Sequence, residues 1–163
     1  DYLEEAISIS SVDKYPNARG FQGKAWTNLA GLYIELVDGD RDYNLHRALF
    51  YVDSAFRIIG IEAESWEGSL LQMYRGVIYC ELAYLHNDPE NIDQARENLE
   101  KAYNIYTALG DTGHVIAALH NLGRLYQLKA YLHSTNRKGN LEKAIDVARP
   151  IPELPPVTST TFP

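Results

Sequence analysis

The sequence contains a single cysteine and no excess of positive charge. Because Cys80 is alone, an intrachain disulfide cannot form, and no Cys-x-x-Cys pair or Cys/His cluster indicates zinc binding. Lysine and arginine number 15 against 22 aspartates and glutamates, which gives a net charge of −7. Phosphate contacts require a surplus of basic side chains. We therefore expect the protein to bind neither nucleic acid nor an anionic membrane surface.

Apolar runs long enough to cross a bilayer are also missing. A membrane-spanning helix needs about 20 consecutive apolar residues, and no stretch of the 163 residues approaches that length. No secretory signal peptide is visible either. Together with the single cysteine, these absences favour a cytoplasmic location. The chain begins with Asp1 rather than Met, inside a helical pattern, so we expect it to be part of a larger protein.

Motifs for catalysis and metal binding are absent as well. The sequence has no Gly-x-Ser-x-Gly nucleophile turn and no glycine-rich phosphate loop. Its five histidines are scattered, and His114 and His120 are six residues apart, which puts them on different helix faces. Cys80 is predicted to be a small buried apolar residue rather than a nucleophile. We predict no enzyme activity, no cofactor and no metal site.

Most of the chain shows apolar residues at helical spacing. In the clearest example, Leu45, Ala48, Val52 and Ala55 form one stripe. We predict helices at about 1–10, 21–37, 44–59 and 65–86, from Pro89 to near Gly110, from Asp111 or Thr112 through Tyr126, and at 140–149. Gly60 is predicted to stop one of these helices, and 133–139 is predicted to be a polar loop. No strand-like alternation appears, so the predicted fold is all-α.

Two short patterns repeat along the chain. In one, a small residue precedes a tyrosine by three positions; these residues are Ala30, Gly76 and Gly123, at spacings of 46 and 47. In the other, Asn, an apolar residue and two further residues lead to alanine, at 44–48, 91–95 and 140–144. Small residues allow neighbouring helices to approach closely. A fixed spacing of this size indicates an array of helix pairs.

These patterns resemble the tetratricopeptide repeat, with Leu-Gly-x-x-Tyr in a first helix and spaced alanines in a second. The resemblance covers residues 1–149 as half a repeat plus three full ones. It implies a right-handed α-solenoid of about seven helices. The usual period is about 34 residues, and we expect the excess to lie in the connections, within each pair at 38–43, 86–90 and 133–139 and between successive repeats. Arg75 stands where the family has leucine. The long form is similar to repeats attached to bacterial signalling ATPases and CHAT-type caspase-like proteases, and to those of kinesin light chain.

The last fourteen residues, 150–163, differ from the rest. They hold five of the seven prolines and no lysine or arginine. Such a segment favours an extended, polyproline-like conformation. Two interpretations remain open: it is a linker to a further domain, or it docks on the helical array.

The resemblance also implies where a ligand would bind. In this family the first helix of each pair lines a concave groove that accepts extended peptides. The groove positions that match the family pattern are Lys24, Thr27, Asn28, Met73, Tyr74, Val77, His120, Asn121, Arg124 and Gln127. Asn28 and Asn121 would hold the peptide backbone, because an amide offers both a donor and an acceptor. Alternatively, these asparagines cap local loops or face water, and Met73 belongs to the core.

The sequence therefore predicts a scaffold that binds a protein or peptide partner. Lys24 and Arg124 would attract acidic groups, and Met73, Tyr74 and Val77 would supply an apolar surface. Two alternatives stay open: a regulatory or sensor segment of a bacterial signalling ATPase or caspase-like protease, and a purely structural or oligomerisation array. In the second case the chain would associate with itself through the tail or through an exposed end of the array.

Overall fold

The computed structural model describes residues 2, 5, 19–36, 38–59, 65–132 and 137–149. Within them are six helices and no strand: α1 (Arg19–Glu35), α2 (Arg41–Ile59), α3 (Trp66–His86), α4 (Pro89–Leu109), α5 (Thr112–Leu132) and α6 (Arg137–Ala148). The all-α prediction is confirmed. None of these six helices is long and apolar enough to cross a membrane. The predicted helix stop at Gly60 and the extended tail at 150–163 lie outside the described residues, and so does the predicted helix at 1–10 except for residues 2 and 5.

Helix ends follow the capping chemistry of the sequence. Asp88 precedes α4, and its carboxylate accepts a hydrogen bond from the backbone N–H of Glu90 at 2.9 Å. Gly110 closes the same helix in the left-handed conformation, with φ of 71°. Asp111 caps α5 by accepting the backbone N–H of His114 at 3.1 Å. The start and end of α4 are therefore confirmed, and Asp111 is the cap of the next helix.

From α3 to α5, the long period comes from long helices and not from long connections. Helices α3, α4 and α5 each have 21 residues. Only Asn87 and Asp88 separate α3 from α4, and only Gly110 and Asp111 separate α4 from α5. The prediction that the extra residues lie in the segment 86–90 and in the link to the next repeat is therefore wrong here. Good helix formers such as Glu, Leu and Ala continue to the helix ends, so the helices extend until a cap stops them.

The segment before α6 also differs from the prediction. Residues 137–139 belong to α6, which begins at Arg137, so the predicted loop at 133–139 is wrong over its last three residues. Arg137 and Lys138 favour helix in spite of their polarity, and Gly139 does not interrupt it. Residues 133–136 lie outside the part of the chain that the structure describes.

The helices pack mainly in sequence order. Each helix contacts the next, and in addition α1 contacts α3 and α3 contacts α5. Within the described ranges, α2 and α4 do not contact each other. An array in which each element touches only its near neighbours is a solenoid rather than a bundle around one centre. The predicted solenoid is therefore confirmed over the described helices.

The repeated small residues lie where helices approach most closely. Ala30, Ala48 and Ala95 are fully buried. A Cβ placed on Gly76 would lie 2.6 Å from Cγ of Leu99, so α3 and α4 are in contact at this glycine. The prediction that a helix packs against its neighbour at the small residue is confirmed at Gly76.

Two residues noted in the sequence patterns, Arg75 and Asn44, link neighbouring parts of the array. Arg75, which stands where the family has leucine, forms an ion pair with Asp53 and lies 5.0 Å from the ring of Phe56. It therefore links α3 to α2 across the boundary between repeats. Asn44, in the second repeated pattern, is buried and donates to the carbonyl oxygens of Leu36 and Asp38. Its amide thereby holds the connection between α1 and α2.

Asp111 joins three helices through its carboxylate. The carboxylate accepts hydrogen bonds from the backbone N–H of His114 at 3.1 Å and from the Trp66 indole at 3.0 Å. Its Oδ2 also lies 2.8 Å from Nδ1 of His114. These bonds, led by the backbone one, lower the pKa of Asp111 below its usual value. The ionised form of Asp111 therefore stabilises the junction of α3, α4 and α5.

We expect Asp111→Asn to lower the free energy of unfolding at pH 7 by about 1 kcal/mol, since a hydrogen bond to a charged group is stronger than one to a neutral group. Because the folded-state pKa is lowered, this contribution is complete above the unfolded value of about 3.9 and is lost as pH falls through the folded pKa. Urea unfolding at pH 7 and at pH 3 measures it. The difference from wild type should be smaller at pH 3 than at pH 7.

The matched control is Glu100→Gln, which removes an exposed carboxylate from α4. It should leave the stability at pH 7 nearly unchanged. A deficit of Asp111→Asn that is as large at pH 3 as at pH 7 would show that charge is not the reason for its effect.

Candidate functional site

The odd-numbered helices form one continuous inner layer. Helix α3 contacts α1 on one side and α5 on the other, whereas the described parts of α2 and α4 stay apart. In a curved array, the helices that still touch across a repeat lie on the inner side of the curve. We call the surface formed by α1, α3 and α5 the inner groove.

The predicted site residues lie on these three helices with different exposures. Exposed positions are Lys24, Asn28, His120, Arg124 and Gln127; partly exposed ones are Met73, Tyr74, Val77 and Asn121. Thr27 is buried, and its hydroxyl donates to the carbonyl oxygen of Gly23 at 2.9 Å. Thr27 therefore bonds its own helix and offers little surface to a ligand.

Two of the predicted apolar residues form part of the core. Met73 packs against the clusters around Leu99 and Tyr106. Tyr74 packs against the cluster of α1 and α2, and a Cβ on Gly31 would lie 3.1 Å from its hydroxyl oxygen. Burial, and secondarily the charge of Glu35, raise the pKa of Tyr74. Met73 and Tyr74 thus form the floor of the inner groove more than its exposed wall.

A pocket opens in the inner groove between α3 and α5. It has a volume of about 230 Å³ and is lined by Cys80, Glu81, Tyr84, Arg124 and Leu128. Tyr84 is exposed over 62% of its surface, so an aromatic ring is available to a ligand at the rim. The pocket combines apolar walls with one charge of each sign.

The charged groups of the pocket are already paired with each other. Nη2 of Arg124 lies 3.0 Å from Oε1 of Glu81, and Arg41 of α2 approaches the other oxygen of Glu81 at 3.5 Å. Arg41 also donates to the carbonyl oxygen of Ile34 at 2.7 Å. Glu81 is therefore shared by two guanidinium groups. The guanidinium of Arg41 is held by its hydrogen bond to Ile34, and that of Arg124 is half exposed.

Cys80 is the one thiol of the chain, and it lies in the wall of this pocket. Burial raises its pKa to about 11, which the nearby Arg124 only partly offsets. The thiol therefore stays protonated at neutral pH and is a poor nucleophile. This agrees with its predicted role as a small apolar residue.

Of the residues that line the pocket, only Arg124 is among the site residues predicted from the sequence. Tyr84 follows Val77 by seven residues and Glu81 by three, and Leu128 follows Arg124 by four. These are the spacings of one helix face. Extending the predicted stripe by one turn on α3 and on α5 would therefore have found these residues. The family pattern did not include them, because its motif positions end earlier in each helix.

Comparison with known families decides the nature of this segment. Residues 74–131 match the family model described as tetratricopeptide repeat. This segment of the chain is a tetratricopeptide repeat. Comparison with curated proteins and with solved structures gives no significant match.

The tetratricopeptide repeat segment contains the second half of α3, all of α4 and nearly all of α5. All the residues that line the pocket fall inside it. Proteins of this family are repeat scaffolds that generally mediate interactions between proteins and carry no catalytic site of their own. The resemblance inferred from the repeated motifs is therefore confirmed for this segment.

Proposed function

We propose that the chain binds an extended segment of a protein partner in the inner groove. The observation that carries this proposal is the pocket between α3 and α5, which lies within the tetratricopeptide repeat segment. The net charge of −7 supports a protein partner over nucleic acid. The chain would carry out no catalytic step and would act as a binding module within a larger cytoplasmic protein.

The amide side chains would bind the partner's backbone. Asn28 on α1 is exposed, and Asn121 on α5 is partly exposed, so each can offer a donor and an acceptor to an extended strand. Apolar contacts would come from two other residues of the inner groove. Tyr84 and Leu128 would contact a side chain of the partner that enters the pocket, which adds affinity through burial of apolar surface.

Arg124 would select for a carboxylate on the partner. Its present ion pair with Glu81 is half exposed on the arginine side, and pairs of this kind contribute about 0–1 kcal/mol. Little is therefore lost when Arg124 turns from Glu81 to an incoming acidic group. Glu81 keeps its second guanidinium, Arg41, and is not left without a counter-charge.

The test uses peptides selected from a displayed random library on the purified protein, with affinities measured by calorimetry. We expect Asn121→Ala to weaken a selected peptide by about 1 kcal/mol or more, because a hydrogen bond to the peptide backbone is lost. The matched control is Asn104→Ala, an exposed asparagine on α4, outside the inner groove. It should leave the affinity unchanged.

Three results would oppose the proposal. In the first, selection returns no peptide that binds. In the second, the Asn121→Ala and Asn104→Ala variants bind the selected peptide with the same affinity, and in the third the affinity is lost with Asn104→Ala instead. A chain that binds no peptide but forms stable oligomers in light scattering would favour the structural array, the alternative in which the groove has no ligand.

A further inference from the structure

Three metal-ligating side chains meet where the start of α2 lies against the end of α3. Asp42 lies in the first turn of α2, His46 follows it by one turn, and His86 is the last residue of α3. Oδ1 of Asp42 lies 2.6 Å from Nε2 of His86 and 3.6 Å from Nε2 of His46. The three ligand atoms all lie within 4.8 Å of one another.

The fold is what assembles this cluster. Asp42 and His46 are four residues apart, so they share a face of α2. His86 is 40 residues further along the chain and reaches them only because α2 packs against α3. The sequence predicts no metal site, because Asp42 and His46 are only one pair on a helix face and their third ligand is distant in the chain.

We propose that Asp42, His46 and His86 form a binding site for a divalent transition-metal ion such as Zn²⁺. Two imidazole nitrogens and one carboxylate oxygen are a ligand set that zinc accepts, with water in the fourth position. Hard cations such as Mg²⁺ and Ca²⁺ prefer oxygen ligands and more of them. The chemistry of the cluster therefore selects zinc-like ions over Mg²⁺ and Ca²⁺.

The geometry requires only small side-chain movements. Ligands at about 2.0–2.1 Å from zinc in a tetrahedron are separated by about 3.3 Å. The distance from Asp42 to His46 already fits, and the distance from Asp42 to His86 has to grow by less than about 1 Å. The nitrogens of the two histidines lie within 4.8 Å of each other. The side chains of His46, His86 and Asp42 are 59%, 48% and 44% exposed. They can rotate without disturbing the buried core.

The electrostatic surroundings favour a cation. Asp42 supplies a negative charge, and the chain as a whole carries −7. The neighbouring Arg41 is directed away from the cluster, toward Glu81 and the carbonyl oxygen of Ile34. A bound ion would connect the start of α2 to the end of α3. It would thereby tie the first helix pair to the second, and the folded state would gain stability with metal concentration.

The experiment titrates Zn²⁺ into the whole chain, prepared without a polyhistidine tag, by calorimetry and with thermal unfolding in parallel. We expect one ion per chain and a rise in Tm. His86→Ala, His46→Ala and Asp42→Asn should each weaken binding by more than about 10–100-fold, the loss that follows removal of an outer-shell partner alone. The rise in Tm should disappear in all three.

The matched control is His120→Ala, an exposed histidine on α5, which should bind Zn²⁺ as the wild type does. Circular dichroism verifies that each variant is folded, and His86→Gln provides a second, milder replacement at that position. The proposal is overturned if the wild type does not bind Zn²⁺. It is equally overturned if binding survives His86→Ala or is lost in His120→Ala.

Discussion

Gly76→Ala is expected to lower the free energy of unfolding by about 1–2 kcal/mol. Its Cβ would lie 2.6 Å from Cγ and 2.8 Å from Cδ2 of Leu99, and 3.2 Å from the backbone oxygen of Ala95. Leu99 is fully buried, so it cannot move aside without disturbing its neighbours. Overpacking of this kind costs about 1–3 kcal/mol, which exceeds the gain of about 1 kcal/mol from replacing glycine in a helix.

The matched control is Gly123→Ala, at the equivalent place in the repeated motif. There the nearest atom to a Cβ is the backbone oxygen of Ala144, at 3.9 Å. This substitution should raise the free energy of unfolding by up to about 1 kcal/mol, because the helix gains and nothing is displaced. Urea unfolding of both variants measures the two changes in the free energy of unfolding. Equal effects at the two positions would contradict the packing difference between them.

Truncating Tyr106 is expected to cost about 3–5 kcal/mol, the largest effect of any substitution proposed for this protein. The side chain is fully buried with Ala102 and Val115. Its ring stacks on the His114 imidazole, with centroids 4.8 Å apart and planes at 27°. Tyr106→Ala therefore leaves a cavity between α4 and α5 and removes the ring that His114 packs against. Thermal and urea unfolding measure the loss.

Tyr106→Phe separates the ring from the hydroxyl. The hydroxyl is buried and has no hydrogen-bond partner among the residues that the structure describes, and burial raises its pKa. Removing it should leave the stability unchanged or raise it by up to about 1 kcal/mol. A loss as large as that of Tyr106→Ala would mean that the hydroxyl, rather than the ring, stabilises the cluster.

Helix positions followed from the sequence because apolar spacing and capping residues act locally. The stripe of Leu45, Ala48, Val52 and Ala55 is fully buried, and Asp88 and Gly110 stop α4 on either side. The connection at 86–90 was misjudged, although the predicted helices at 65–86 and from Pro89 to near Gly110 leave only two residues between them. The lengths of α3 and α4 were therefore predictable from the sequence, and the expected extra residues at 86–90 came from comparison with the family's shorter period.

Contacts between distant residues could not be predicted in the same way. Gly76 and Gly123 occupy the same motif position, yet only Gly76 is in tight contact, because the residue opposite is Leu99 in one case and Ala144 in the other. The pairing of Arg124 with Glu81 likewise depends on how α5 lies against α3. Periodicity specifies which face of a helix is buried, but not which side chain it meets.

The helices of 21 residues set the dimensions of the inner groove. At a rise of 1.5 Å per residue, each is about 30 Å long. An extended chain advances about 3.3 Å per residue, so a strand lying lengthwise along α3 would span it with about nine residues. The surface along α3 is therefore long enough for one segment of about nine residues or for two shorter segments placed one after the other. The length of a selected peptide therefore does not by itself give the number of peptides bound per chain.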